Sequence, residues 1–341
     1  MTARRLAGVG LGWRPETAWL IDQRPSLGFS EVIAESIDPR RPPRALLAAV
    51  ERGLPVVTHG VGLSLGGATR PERGRVSRLV EVARILRSPL VSEHLAFCRA
   101  GGLEAPHFLP VPRTRAQLAI LVDNVRWVQD SLDVPFAIEN VAAPLRWPGD
   151  ELAEAEFLAE LLARTGSHLL LDASNLHGNL LNFGGDLDGY LAMLPLDRVA
   201  YLHVAGGARI ETLWRDTHAH RVDATMLEVL ARVLARTGSR PVVLERDHHF
   251  GTREALDAEL DSIAAVVAGT RAATPAPPAA RAPVELSGAT RAMRRELAHE
   301  QHALLASLLG TARVPPGFDA VEHAEARAIV AGKQLRRANQ R

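Results

Sequence analysis

Three consecutive leucines, Leu169, Leu170 and Leu171, run straight into Asp172, and this abrupt change of character constrains the fold more than any other feature of the chain. A short apolar run after the turn at Gly166 and Ser167 reads as a strand buried on both faces of a parallel sheet. Such a strand has no reason to end on a carboxylate unless the charge has a task there. The same punctuation recurs in Val56-Val57-Thr58-His59, Leu90-Val91-Ser92-Glu93-His94, Phe136-Ala137-Ile138-Glu139-Asn140, Ala200-Tyr201-Leu202-His203 and Val242-Val243-Leu244-Glu245. Six apolar runs, each closed by His, Asp or Glu, indicate that the chemistry sits where the strands end.

The spacing between these runs sets the architecture. Strands are predicted at 7–12, 29–33, 54–59, 90–94, 135–140, 168–172, 199–204 and 241–245. Helical periodicity follows each of them, at 16–23, 44–52, 72–86, 114–132, 151–164, 187–194, 224–237 and 253–268. Eight strand-helix pairs, with apolar runs short enough for parallel strands, predict an α/β fold of the closed (β/α)8 TIM-barrel kind over residues 1–269. An open doubly wound sheet is the runner-up; it would not bring six strand ends into one mouth, and the G-x-G-x-x-G dinucleotide fingerprint is missing. Residues 1–5 read as a basic, frayed leader. Residues 270–284 are rich in Ala and Pro and read as a semi-extended linker. Helical patterns at 290–309 and 320–337 make 285–341 a short C-terminal helical appendage, too small to build its own core and so expected to dock on the barrel or on a partner.

Composition removes several function classes. Formal net charge is +1, from 40 Lys and Arg against 39 Asp and Glu, which disfavours nucleic acid and anionic membrane surfaces as partners. No apolar run approaches the ~20 residues of a membrane span, and no signal-peptide pattern opens the chain, so a cytoplasmic location and no membrane association are expected. Cys98 is the only cysteine, so a metal site must be built from His and carboxylates. The only lysine is Lys333, near the C-terminus, which leaves the barrel without an amine for Schiff-base or pyridoxal chemistry.

In a barrel, the C-terminal strand ends face one pocket. His59, His94, Glu139, Asp172, His203 and Glu245 end strands three to eight, and the loop after strand seven adds Asp216 and His218. Three or four such groups satisfy one first-row ion, so eight can hold two or three with a bridging carboxylate. A single strand-end histidine is more often a structural residue than a ligand, but burying eight such groups together without an ion would cost several kcal/mol for each unpaired charge, on the order given for buried ions. Nitrogen and oxygen donors without sulfur suit iron, manganese or zinc.

Other residues carry weaker signals. Glu31, Glu35, Glu93 and His107 are expected to support the site or face substrate at best, since alternation points Glu93 away from His94 and His107 falls in a loop. Asn140 and Asn175 either orient ligands and bind substrate or serve as turn and capping residues. The glycine-rich stretches 60–67 and 205–207 suit an anion cradle less well than tight turns. Cys98 reads as a small apolar filler ahead of a reactive thiol. His248 and His249 are either ligands or part of a polar loop.

These segments resemble the multinuclear non-haem iron-dependent oxidative enzymes, whose best-known members help to build methanobactin. The resemblance rests on His59-Gly60-Val61-Gly62-Leu63-Ser64-Leu65-Gly66, Ser92-Glu93-His94-Leu95-Ala96, Ile138-Glu139-Asn140, Leu171-Asp172-Ala173-Ser174-Asn175, Leu202-His203-Val204-Ala205-Gly206, Asp216-Thr217-His218 and Leu244-Glu245, and spans residues 8–268. It implies two or three iron ions held by His59, His94, Glu139, Asp172, His203, Asp216, His218 and Glu245, with Asp216 and His218 also taking part in catalysis. It further implies O2 as co-substrate and, as substrate, cysteine residues of a ribosomally synthesised precursor peptide whose thiolate binds iron. A separate leader-binding partner protein is usual in the family, unless residues 284–341 supply that role in cis. Family members commonly have Asn where this chain has Ser174 and His where it has Gly207. Two other classes remain open on the residues alone: a divalent-metal barrel isomerase or phosphodiesterase of the sugar-isomerase or endonuclease type, and a non-catalytic peptide-binding or metal-storage protein.

Overall fold

The structure, a computed structural model, describes residues 5–270 and 288–339. Most of the expected basic leader and of the 270–284 linker, and the first residues of the C-terminal region, lie outside the described residues. Twelve strands occur among those described: β1 Val9–Gly12, β2 Phe29–Ile33, β3 Val56–Gly60, β4 Val91–His94, β5 Ala96–Ala100, β6 Leu103–Pro110, β7 Phe136–Glu139, β8 His168–Asp172, β9 Val199–Val204, β10 Gly206–Ile210, β11 Leu213–His220 and β12 Val242–Leu244. Eight of them close a parallel barrel in the order β1-β2-β3-β4-β7-β8-β9-β12. This is the TIM barrel that the strand-helix alternation predicts.

The helices are α1 Ala18–Gln23, α2 Arg44–Arg52, α3 Arg73–Ile85, α4 Arg115–Gln129, α5 Glu154–Thr165, α6 Ala173–Phe183, α7 Leu187–Met193, α8 Ala224–Thr237, α9 Arg253–Gly269, α10 Arg291–Leu308 and α11 Ala320–Asn339. Alternation along each strand sorts the core. Val56, Phe136, Ile138, Leu169, Leu171, Leu202, Val242 and Leu244 point outward into the large apolar layer beneath the helices. Their neighbours Phe29, Val57, Leu90, Ala137, Leu170, Tyr201 and Val243 point inward and fill the barrel's interior as a separate cluster.

Three elements differ from the sequence-based expectation. The loop holding Cys98 and His107 is a hairpin, β5–β6, turned at Gly101 and Gly102 with φ of 56° and 81°, values that glycine adopts freely. The loop carrying Asp216 and His218 is a second hairpin, β10–β11. Helix α6, absent from the expected elements, starts directly at the end of β8 because the Asp172 carboxylate caps it, accepting from the N–H groups of Ser174 at 2.6 Å and Asn175 at 2.9 Å.

Helices α10 and α11 dock on the β5–β6 hairpin. Leu304, Leu305, Leu308, Ala326 and Val330 share one apolar cluster with Phe97, Ala105, Leu109, Leu145 and Trp147. Buried Gln301 of α10 donates to the Gly66 carbonyl at 2.7 Å and accepts from the Ala68 N–H at 3.0 Å, pinning the glycine-rich loop after β3. Among the described residues no helix is long and apolar enough to cross a membrane.

Candidate metal centre

One step beyond the inward apolar cluster, the same strands present polar groups. His59 on β3, Glu139 on β7, Asp172 on β8, His203 on β9 and Glu245 just after β12 are buried at the barrel mouth, and His94 at the end of β4 lies beside them. The hairpin β10–β11 folds Asp216 and His218 over the same point. Among the described residues three overlapping groups bring one donor atom from each member within 4.8 Å of the others: His59, His94 and Glu139; Glu139, Asp172, His203 and Glu245; and Asp172, Asp216 and His218. Glu139 and Asp172 each belong to two groups, so either could be shared between neighbouring ions. All eight ligand candidates read from the sequence meet here.

Each imidazole is held by one nitrogen and turns the other to the centre. His59 Nδ1 lies 2.8 Å from Ser92 Oγ, which in turn lies 2.8 Å from the Tyr201 hydroxyl. His203 Nε2 lies 3.0 Å from Glu31 Oε2, which also accepts from the Tyr201 hydroxyl at 2.6 Å. His94 Nδ1 faces the Gly60 carbonyl at 3.2 Å and Glu93 Oε1 at 3.3 Å, and its ring stacks on Phe108 with centroids 3.9 Å apart. His218 Nδ1 lies 3.1 Å from Asp247 Oδ2, whose other oxygen accepts from Arg14 Nε at 3.0 Å. Anchoring one ring nitrogen by a carboxylate, hydroxyl or carbonyl fixes the orientation of the other, the arrangement used by metal-binding histidines. His218 also holds a left-handed backbone, φ 50°, which is uncommon for a residue with a side chain of this size.

The carboxylates do not satisfy one another. Glu139 Oε2 has His59 Nε2 at 3.4 Å and His94 Nε2 at 3.3 Å, yet hydrogen-bonds to neither. Asp172 Oδ2 and Asp216 Oδ1 are likewise buried without a hydrogen-bond partner. Burial, reinforced by the charges of Asp216, Glu139 and Glu245, pushes the Asp172 carboxyl well above the usual carboxylate range. Burial alone would push His94, His203 and His218 down, but neighbouring carboxylates prevail and raise all three, His94 to about 9. His59, buried beside His94 and His203, is pushed well down. Glu245 is drawn down to about 2, burial being outweighed by His203 and His218. Orphaned carboxylate oxygens and imidazoles driven towards protonation both report missing positive charge at one point. Cations among these donors would supply it, so the residues present fit a multinuclear metal site.

The remaining candidates divide by position. Asn140 spends its side chain on the Asp172 backbone, donating to its carbonyl at 3.0 Å and accepting from its N–H at 2.8 Å, and so fixes the ends of β7 and β8 relative to each other. Asn175 donates to the Asn140 carbonyl at 3.1 Å and lines the cavity in front of the centre. Alternation turns Glu93 outward as expected, but its carboxylate curls back: Oε1 accepts from the His94 N–H at 2.9 Å and Oε2 from the Leu63 N–H at 2.8 Å. Its reach to His94 corrects the expectation that the two point apart. His107 lies on β6, not in a loop. Four N–H groups of the 60–67 loop are spent within the protein, Val61 on Glu35 at 3.0 Å, Leu63 on Glu93 at 2.8 Å, Gly66 on the Ala96 carbonyl at 2.8 Å and Gly67 on the Ser64 carbonyl at 2.9 Å, which favours a packed turn over an anion cradle. A Cβ on Gly207 would stand 2.2 Å from the Trp214 ring, which takes the space a side chain at 207 would need. Cys98 is buried, and burial pushes its thiol up. Arg14, Ser92, Tyr201 and Asp247, which hold the histidines in place, are the residues that sequence reading missed. Tyr201 was legible as a polar-tipped residue two positions before His203; nothing short of the fold marks Asp247.

The cavity over the centre has a volume of about 810 Å³. Its walls are the two hairpins, the 141–144 segment after β7 and one face of α11, and His248 and His249 stand at its edge.

Comparison with known proteins places this arrangement. A sequence profile of the RiPP precursor modification enzyme MbnB/TglH/ChrH family, RiPP denoting a ribosomally synthesised and post-translationally modified peptide, matches residues 8–268. The chain is 42% identical over 375 aligned positions to a UPF0276 protein of Streptomyces avermitilis, covering 95% of this chain and 77% of that protein. It is 36% identical over 271 positions to a UPF0276 protein of Chromobacterium violaceum, covering 79% of this chain and 98% of that one. Among solved structures it is similar to endonuclease IV from Thermus thermophilus, with a TM-score of 0.52, 21% identity, and 76% and 99% of the two chains covered. It is also similar to a D-allulose 3-epimerase from Methylomonas sp., with a TM-score of 0.51, 12% identity, and 78% and 96% covered. At these identities the structural likeness is one of fold.

Proposed function

The chain belongs to the MbnB/TglH/ChrH family of RiPP precursor modification enzymes, and on that premise we propose that it is an iron- and O2-dependent oxidase that modifies cysteine residues of a ribosomally made peptide. One observation carries the reading: three buried carboxylate oxygens without hydrogen-bond partners, on Glu139, Asp172 and Asp216, converge with imidazole nitrogens at the mouth of the barrel. His59, His94, Glu139, Asp172, His203, Asp216, His218 and Glu245 would hold two or three iron ions. When bound, iron there supplies a site for the substrate thiolate and the reducing power that activates O2.

The chain's own residues do the positioning. Ser92 and Glu31 lock the rings of His59 and His203 and are themselves held by the Tyr201 hydroxyl, and Asp247, held by Arg14, does the same for His218. The Asn140 amide sets the height of Asp172. Asp216 and His218 pair through Oδ2 and Nε2 on the cavity side of the cluster; with Nε2 given to an ion, the Asp216 oxygen left over is the one in position to hold or pass a proton. The apolar cluster of Phe29, Val57, Leu170 and Val243 closes the barrel beneath the charges and keeps water from entering that way. Residues 1–269 form the catalytic unit in this reading, and the C-terminal helical region belongs to its substrate side.

The test is metal quantification of the purified chain together with mass spectrometry of cysteine-bearing candidate peptides co-expressed with it. The expected result is more than one iron per chain and an O2-dependent mass change at cysteine. Zinc as the sole bound metal, or turnover that proceeds unchanged without O2, overturns the proposal.

A further inference from the structure

The family match ends at residue 268, but the cavity does not. Helix α11, which lies wholly beyond that match, supplies one wall of it through Ala328, Ile329, Gly332, Lys333 and Arg336. These positions fall on one face of the helix, three and four residues apart. A neighbouring face carries Ala326 and Val330 into the apolar cluster on the β5–β6 hairpin, so the cavity-facing stripe is fixed in direction. Two ion pairs hold the helix where it is: Glu322 accepts from Arg146 Nε at 2.9 Å, and from the Arg146 backbone N–H at 2.7 Å, and Glu325 accepts from Arg215 at 2.7 Å and from the Thr212 hydroxyl at 2.8 Å. Gly332, in mid-helix, gives up roughly 1 kcal/mol of helix propensity relative to alanine and leaves the wall open where a side chain would stand.

The charges lining this cavity are segregated. Its acids, Glu139, Asp216 and Asp247, all belong to the barrel-mouth cluster, whereas its lysine and arginines, Arg215, Lys333 and Arg336, lie on the hairpin β10–β11 and on α11. Arg215 is largely neutralised by Glu325 and, at 3.8 Å, by Glu211. Lys333 and Arg336 bring their positive charges to the same wall. Lys333 donates to His107 Nδ1 at 3.0 Å, and burial together with the charges of Lys333 and Arg215 keeps His107 well below its usual value, hence neutral and accepting. His107 and Phe108 are adjacent on β6, so the residue that steers Lys333 adjoins the ring that stacks on His94. One hairpin thus links the metal candidates to the cationic wall.

We propose that Lys333 and Arg336 form a carboxylate-binding subsite for the peptide substrate, opposite the metal centre and supplied by the C-terminal helix of the same chain. The proposal rests on the reading of the cavity as a peptide site. A thiolate directed to the cluster and a carboxylate directed to α11 would set the direction in which the peptide lies across the cavity. The carboxylate is either the peptide's own C-terminus or an acidic side chain near the cysteine, and the two are separable by experiment.

The test uses the full chain, its iron content measured first, and four fluorescein-labelled cysteine octapeptides: acidic or neutral in sequence, each with a free or an amidated C-terminus. Fluorescence anisotropy reads the dissociation constants. The wild type is expected to bind at least one carboxylate-bearing peptide roughly fivefold more tightly than the neutral amide, as ~1 kcal/mol from a partly screened ion pair implies. Preference for the free terminus identifies the terminal carboxylate, and preference for the acidic sequence identifies the side chain; either supports the subsite. The preference should vanish in Lys333→Met/Arg336→Gln and persist in Lys333→Arg. Arg336→Glu, at an exposed helical position, should weaken it or reverse it and serves if the double variant folds poorly. Equal binding of all four peptides by the wild type, no measurable binding of any, or an unchanged preference in the double variant overturns the proposal. An iron-loaded chain with no preference removes the subsite alone. A chain without iron that still discriminates removes the oxidase reading and leaves the subsite standing.

Discussion

Inside the barrel two layers of side chains come from the same strands, two residues apart. The lower layer is Phe29, Val57, Leu90, Ala137, Leu170, Tyr201 and Val243. The upper one is Glu31, His59, Ser92, Glu139, Asp172, His203 and Glu245, each two positions further along its strand. Burial is similar in both, with Leu170 and Asp172 each fully enclosed. The lower layer is complete as hydrocarbon. The upper is left with carboxylate oxygens, on Glu139 and Asp172, that nothing among the described residues satisfies. A strand that steps from one layer to the next moves from a part of the molecule optimised for stability to one that gives up stability for binding. Tyr201 joins the two: its ring packs below while its hydroxyl reaches Glu31 and Ser92 above.

The sharpest way to break this contrast is to neutralise one upper residue without changing its shape. Asp172→Asn retains the Oδ1 acceptor that caps α6 and replaces the orphaned oxygen with a donor facing Glu139, Glu245 and Asp216. Activity and retained iron should fall by more than about 100-fold, beyond what loss of a merely orienting group costs. The metal-free protein should become more stable by ~1 kcal/mol, read as a higher melting temperature. Full iron loading in this variant would show that the upper layer does not hold metal through Asp172. In the layer below, Leu170→Ala should do the reverse. It opens a cavity costing about 2–5 kcal/mol of unfolding free energy while leaving the iron per folded chain unchanged. Loss of iron in that variant at temperatures where it remains folded would mean the two layers are not separable. Tyr201→Phe tests the junction: ring packing survives, the hydroxyl is lost, and iron affinity measured by chelator competition should weaken by ~10–100-fold with little change in melting temperature.

The contrast between layers also explains what could be read from the chain. A period of two, apolar until the strand end and ionisable there, makes the barrel and six of the eight cluster residues visible, because inward positions on neighbouring strands are forced together by closure; Asp216 and His218 come instead from the connection after β9. Helix α6 was hidden since Ala173-Ser174-Asn175-Leu176-His177-Gly178-Asn179 has the composition of a loop. Its start depends on Asp172 acting as a cap, and Gly178 is there to admit the Trp214 ring, 2.6 Å from where a Cβ would be. The hairpin β5–β6 did carry a signal, the Gly101-Gly102 pair that suits a two-residue turn. Asp247 and the α11 wall carried none, since their roles come from contacts with Arg14, His218, Arg215 and His107 that are remote in sequence and set only by the tertiary fold.

The α11 wall differs from both barrel layers in resting partly on surface charge, and acid should reveal that. Burial disfavours the charge on Asp123 of α4, but Arg70 at 2.9 Å and Arg294 of α10 at 2.5 Å outweigh it and hold the carboxyl below its ordinary value. Glu325 of α11 is held down in the same way, burial being outweighed by Thr212 and Arg215. In the unfolded chain these groups take up protons near pH ~4, and in the native chain only at lower pH. Their contribution to stability is therefore complete above the unfolded values and disappears as pH falls through the native ones. Both pairs are partly solvated or lie near the surface, so each should be worth only a few tenths to about 1 kcal/mol. The apolar contacts of Leu304, Leu305, Leu308, Ala326 and Val330 do not titrate and should keep the helices docked. The measurement is the urea midpoint of the wild type against Asp123→Asn/Glu325→Gln between pH 7 and pH 3. The variant should be less stable at pH 7 and the gap should close on acidification, whereas a gap that stays constant with pH would assign the docking of the wall to its apolar contacts alone.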